Sequence, residues 1–292
     1  MIITRDASAY NVLQYNLANN SNTLNELYIK SSTGVEVAKA SDNPSLVRSI
    51  LSGRSDIMKG EQYIENCQHI QDSLSTAETY IDSVEALMTR AKEIAISGAN
   101  DGLSPADQNT LAEEVEQLQE ALLDLANAEV DGKYIFAGYN DQVLPFSRDP
   151  VVYNGTDDHK MIEISPGSTV AKNITGEELF MDPVDLFAVL DNLATALQGG
   201  DSSVIATQLT PLEDAAEQVR TQQSLLGNTS ARMDDIKAMH ESAVLLLQET
   251  LSRNEDADLA AVLSEVAKME TSLEATMQVT ARVSSLQLMD YL

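Results

Sequence analysis

Forty-six Asp and Glu residues, three His and one Cys are the side chains of this 292-residue chain suited to acid–base, metal or nucleophilic chemistry. A di-iron site of the helical-bundle type needs Glu three positions before His. The residues three before His69, His159 and His240 are Asn66, Thr156 and Lys237, so that pairing is missing. Glu113-Glu114-Val115-Glu116 and Asp256-Ala257-Asp258 offer oxygens a metal would accept. A solvated helix face and a helix N-terminus, where the dipole favours negative charge, account for them with fewer assumptions. Cys67 lies in a helical stretch with no nearby cation or turn to activate it, and no Gly-x-Ser-x-Gly elbow supplies a serine nucleophile. None of the 13 glycines falls in a phosphate-cradling pattern. These residues therefore imply no enzyme, no catalytic residue, no cofactor and no metal site.

Eighteen Lys and Arg against the 46 acids give a net charge of −28. That excludes nucleic-acid binding as a main activity, because phosphate backbones require clustered cations. Over residues 1–33, Arg5 and Lys30 cancel Asp6 and Glu26, so the whole excess lies in the remainder. Apolar residues make up 43% of the chain but aromatics only 4%, with no Trp, a composition of helix bundles and coiled coils. Arg5 and Asp6 interrupt the apolar core a signal peptide needs, and no run approaches the ~20 apolar residues of a membrane span. Neither a cleaved signal nor a membrane partner is expected. The Asn-x-Ser/Thr triplets at Asn154, Asn173 and Asn228 are accordingly read as chance matches.

With no reactive site to position, the helical patterns themselves become the candidate surface. Tyr10, Leu13, Leu17, Asn20, Leu24 and Leu27 recur at three-four spacing and trace one seam, implying one partner surface. Six Asn between positions 11 and 25 make this a poor helix on its own. Thr33-Gly34 stops it, and Asn43-Pro44 opens a long helix with the stripe Ile70, Leu74, Ala77, Ile81, Val84, Met88, Ala91 and Ala95. Ser104-Pro105-Ala106-Asp107 is a capping box for the next. Residues 133–181 contain short β-rich runs at Tyr134–Phe136, Val151–Tyr153 and Met161–Ile164, separated by turn signals. Helical grammar resumes at Asp182-Pro183 and again at the capping box Thr210-Pro211-Leu212-Glu213. The last segment carries a clean seam through Leu259, Val262, Val266, Met269, Leu273, Thr276, Thr280 and Val283, with apolar residues continuing to Leu286 and Leu292.

The expected fold is mainly α with a β-rich insertion, an elongated helical bundle whose N- and C-terminal segments form a coiled coil. Five segments are expected: a coiled-coil segment 1–40, the first half of a helical rod 41–132, an outward-facing β-rich insertion 133–181, the second half of the rod 182–255, and a coiled-coil segment 256–292. The insertion is expected to face solvent and to be dispensable for polymer contacts, its removal leaving a helical protein of lower stability. The two terminal seams can satisfy each other, and Leu13, Leu17, Leu24, Leu27, Leu259, Val262, Val266, Met269, Leu273, Val283, Leu286 and Leu292 are the candidate assembly interface.

Particular residues carry a resemblance. Ser31-Ser32-Thr33-Gly34-Val35 followed by Ala40-Ser41-Asp42-Asn43-Pro44 resembles the bend of bacterial flagellin-like axial proteins, in the form seen in their hook-associated branch. Asp131–Gly138 and Pro145-Phe146 are similar to the start of that branch's β-rich region. Asp256-Ala257-Asp258-Leu259 and Leu286–Leu292 are similar to its C-terminal helix. Cys67 departs from the pattern, since these exported subunits commonly lack cysteine. The resemblance implies a structural subunit joining the hook-associated region to the flagellin filament; the alternative is a filament subunit, with a cytoplasmic helical enzyme or scaffold more remote. It further implies type III export to the cell exterior without a cleaved signal. The implied partners are a neighbouring hook-associated protein, flagellin, further copies in a ring or helical layer, and an export chaperone.

Overall fold

The computed structural model describes residues 3–37, 43–100, 102–148 and 150–289, with side chains between 11 and 282 within those ranges. In chain order the elements are α1 (Ile3–Thr33), α2 (Pro44–Gly98), α3 (Pro105–Ala126), β1 (Glu129–Val130), β2 (Lys133–Tyr134), β3 (Met161–Ser165) and β4 (Ser168–Ala171). A π-helical turn (Glu177–Met181) follows, then α4 (Leu186–Gly199), α5 (Ser202–Thr207), α6 (Leu209–Glu255) and α7 (Leu259–Met289). The chain is mainly α with a small β-containing middle, as the sequence predicts. It groups into two compact units, one made of Met1–Lys59 with Ala243–Leu292 and the other of Gly60–Ser242. The boundaries expected at 40 and 256 fall inside the first unit, and those at 132 and 182 inside the second.

Local chemistry explains most helix starts. Asn43 Oδ1 accepts from the Leu46 amide at 3.2 Å ahead of Pro44. Ser104 and Asp107 exchange hydrogen bonds in a reciprocal capping box. Two starts differ from expectation. The helix expected from Asp182-Pro183 begins only at Leu186, where the Asp185 carboxylate accepts from the amides of Phe187 and Ala188. Leu209 already opens α6, which leaves Thr210 and Pro211 in its first turn rather than at its cap. Pro211 costs little there, because the first-turn amides have no helical acceptor.

In the second unit the predicted α2 stripe from Ile70 to Ala95 is buried at every position. It packs with Val115 and Leu122 of α3 and Leu186, Leu190, Leu193 and Leu197 of α4. The β-rich stretch contains two antiparallel hairpins. Asp131 and Gly132, both at positive φ, join β1 to β2 with Val130 opposite Lys133; such two-residue turns match the twist of the flanking strands. β3 pairs with β4 through a turn at Gly167. Val151–Tyr153 form no strand, only an isolated bridge from Tyr153 to Phe146.

Residues 133–181 share the core of the helices rather than standing apart from it. Phe136, Phe146, Ile164, Leu179 and Phe180 are completely buried in the same core as α2, α3 and α4. Phe180 meets Phe136 and Phe146 edge-on at 5.3 and 5.4 Å, and Phe146 lies 5.4 Å from Phe187 of α4.

Candidate assembly interface

An Asn-rich helix such as α1 needs a partner to persist in water, and α7 supplies it. Leu24 and Leu27 bury against Val262 and Val266, with Met269 and Leu273 packed alongside. The two helices run antiparallel. Asn20 Nδ2 donates to Thr276 Oγ1 at 3.4 Å, and one register unit further Tyr28 OH donates to Glu270 Oε1 at 2.5 Å. The Asn20–Thr276 contact lies in the part-buried seam and favours this register, because a slip would bury unpaired polar groups, whereas the Tyr28–Glu270 pair is exposed. The Tyr28 phenol is pushed above its usual pKa, first by the hydrogen bond to Glu270, then by desolvation and the carboxylate charge.

The near end of the coil is closed by backbone. Gly34, at φ +71°, terminates α1 with its N–H donating to Lys30 O at 2.8 Å, a left-handed cap favouring glycine. The Glu36 N–H then donates to Glu255 O, and the Ala257 N–H to Gly34 O, each at 2.8 Å, forming a short antiparallel bridge. Asp258 Oδ1 caps α7 by accepting from the amides of Ala260 and Ala261. Arg54 of α2 pairs with Glu255 beside the bridge. Thus Ser31–Val35 and Asp256–Leu259, two motifs far apart in sequence, are hydrogen-bonded to each other. Ala40, Ser41 and Asp42 lie outside the described residues.

The candidate interface residues divide. Leu24, Leu27, Val262 and Val266 are buried, and Leu13, Leu17, Met269 and Leu273 are half-buried. Leu259 does not join the seam and stays 46% exposed. It sits in the first turn of α7, just beyond the Gly34–Ala257 bridge that follows the end of α1. The side chains of Val283 and Leu286, and all of Leu292, lie outside the described residues. A large part of the expected surface is therefore occupied within the chain itself.

The sequence reading missed a second apolar set. Val12, Tyr15 and Ile29 on α1, and Leu263, Met277 and Val279 on α7, are exposed. A seven-residue repeat was the available signal, since Tyr15 and Ile29 flank Asn22 at equal spacing and Leu263 and Met277 flank Glu270. These positions lie off the seam, so a search for the strongest stripe passes over them.

The model of the bacterial flagellin N-terminal helical region matches residues 6–141, and that of the C-terminal helical region matches residues 209–292. The chain belongs to the flagellin family. Like other members of this family, it is a structural component of the bacterial flagellum. Flagellar hook-associated protein 3 of Escherichia coli (strain K12) is 24% identical over 282 residues, 88% of this chain and 89% of that protein. Flagellin of Bacillus subtilis (strain 168) is 24% identical over 294 residues, 97% of this chain and 96% of that one. The solved flagellar junction protein from Legionella pneumophila superposes with a TM-score of 0.61 at 16% identity, covering 71% of this chain and 100% of its own. The shared fold therefore covers 71% of this flagellin-family chain.

Proposed function

We propose that the chain is the subunit joining the hook-associated region of the flagellum to the flagellin filament, acting without catalysis. The observation that carries the reading is the α1/α7 coil, closed at the Gly34–Ala257 bridge and flanked by exposed apolar residues. The seam residues Leu13, Leu17, Leu24, Leu27, Val262, Val266, Met269 and Leu273 build the coil. Tyr15, Ile29, Leu263 and Met277 present it to like-folded neighbours. Those neighbours are a hook-associated protein on one side and flagellin on the other, with further copies of this chain in the same ring or helical layer. A hook-associated protein 3 relative over 88% of the chain supports this assignment, as does the Ser41-Asp42-Asn43-Pro44 sequence motif. The subunit acts outside the cell, exported without a cleaved signal and held by a chaperone on the way. The rival reading, a filament subunit, is favoured by the flagellin match over 97% of the chain.

Loss of the gene should leave hooks intact while flagellin is shed into the medium. Complementation with Leu263→Asp should give a folded, exported protein that still sheds flagellin. Intact filaments in the null strain, or missing hooks, would sink the junction assignment. Abundance separates the rival: a filament subunit dominates sheared flagella, whereas a junction subunit is scarce there.

A further inference from the structure

In a molecule with 46 acids and 18 bases, the cations should be consumed by ion pairs, and most of those in the second unit are. Arg90, Lys92, Arg148 and Arg220 each meet at least one carboxylate. One cavity of about 350 Å³ breaks the pattern, because Lys133, Lys160 and Lys172 all line it. Lys160 is taken by Asp141. Lys133 and Lys172 have no ion-pair partner among the described residues. Among the described residues the acids in the wall are Asp141 and Asp72, and the Asp72 carboxylate accepts from Gln68 Nε2 at 2.9 Å. The wall therefore carries a net positive charge inside a chain of −28.

A second observation points the same way. Asn173 lines this cavity, and its Oδ1 is fixed by the Lys160 backbone amide at 2.7 Å. That bond orients the side chain and leaves Nδ2 buried with no hydrogen-bond partner. A buried, unpaired donor is costly, and groups of this kind accompany binding sites more often than plain surface. Asp141 also senses the local cations: its carboxyl is held below the usual range first by the hydrogen bond from Lys160, with a smaller contribution from the charge of Lys133.

We propose that this cavity, between α2 and the two β-hairpins, binds a small multivalent oxyanion of the carboxylate or phosphate class. Lys133 and Lys172 supply the charge, and Asn173, beside them in the wall, carries an amide whose Nδ2 has no partner of its own.

Calorimetric titration of the full chain with citrate, and separately with inorganic phosphate, tests the site. One saturable site per chain is expected for at least one of the two, weakening as chloride rises. Which one binds distinguishes a carboxylate from a phosphate ligand. Lys172→Gln and Asn173→Ala should each weaken binding by about tenfold, the usual cost of one charge-assisted or buried hydrogen bond. Lys268→Gln, on α7, should leave it unchanged. Far-UV circular dichroism checks that each variant folds, and Lys133→Gln, at an exposed position, provides a second probe that folding cannot confound. Absence of saturable binding to either anion overturns the site. So does binding that survives Lys133→Gln combined with Lys172→Gln, or that Lys268→Gln weakens equally.

Discussion

Tyr153 and Gly138 show how much a single residue can hold in this fold. The Tyr153 hydroxyl is shared between Phe136 O and Thr156 O, both at 3.1 Å, and burial pushes its pKa up to about 12. An unfolded phenol ionises near 10, so the unfolded chain loses its proton first. Tyr153 thus contributes its full stability below about pH 10 and loses it as pH rises towards 12. Tyr153→Phe should cost about 1 kcal/mol at pH 7 and progressively less, relative to wild type, by pH 11. Urea unfolding at both pH values measures the gap; a gap of constant size would refute the assigned cause. Gly138 combines φ +72° with a site where a Cβ would stand 1.7 Å from Thr156 O. Backbone cannot yield there, so Gly138→Ala should destabilise by about 2–4 kcal/mol, read from the shift in denaturation midpoint. The turn at Asp131-Gly132 was legible because its chemistry is local. Gly138 was not, because the oxygen that excludes a side chain comes from a segment well downstream.

At the level of elements, capping and stripes were readable because caps and three-four spacing are written in neighbouring residues. The Asn43-Pro44 start, the Ser104–Asp107 box and the α2 stripe appear as expected. The face of α1 that α7 covers was readable as the Leu24 and Leu27 stripe, whereas the exposed apolar flank of Val12, Tyr15 and Ile29 was not, because it lies off the strongest stripe. The distinction has a measurable form. Leu27→Ala removes buried seam volume and should cost about 2–3 kcal/mol, with amide exchange rising in α1 and α7 together and little change in α3 or α4. Leu263→Asp, on the exposed flank, should leave exchange near wild type and act only on assembly. If Leu263→Asp accelerates exchange across α1 as strongly as Leu27→Ala, the two sets of positions do not have separate roles.

Across the whole molecule, the β-containing middle is legible in the sequence, whereas the depth at which its side chains enter the helical core is not, because that depends on contacts between distant segments. Each of the five large apolar side chains that the middle buries completely is worth about 1.5–3 kcal/mol. Their sum is comparable to the entire 5–15 kcal/mol stability of a typical domain. Joining Asp131 to Asp182 should therefore abolish cooperative thermal unfolding of the remaining helices, as followed by circular dichroism; a sharp transition near the wild-type temperature would show the helical core to be self-sufficient. The contact between Tyr63 and His240, whose rings lie 5.2 Å apart near the two ends of the second unit, bears on the order of events in time. Asn20 and Thr276 are 256 residues apart, and each doubling of a loop adds about 0.6 kcal/mol to the entropy of closing it. Once residues 60–242 have folded, Tyr63 and His240 are already neighbours, and the search left to the two ends shrinks to the short tethers beyond them. A chain emerging end-first has one terminal stripe without its mate until the other arrives, so the coil is the last structure to form and the first to be lost.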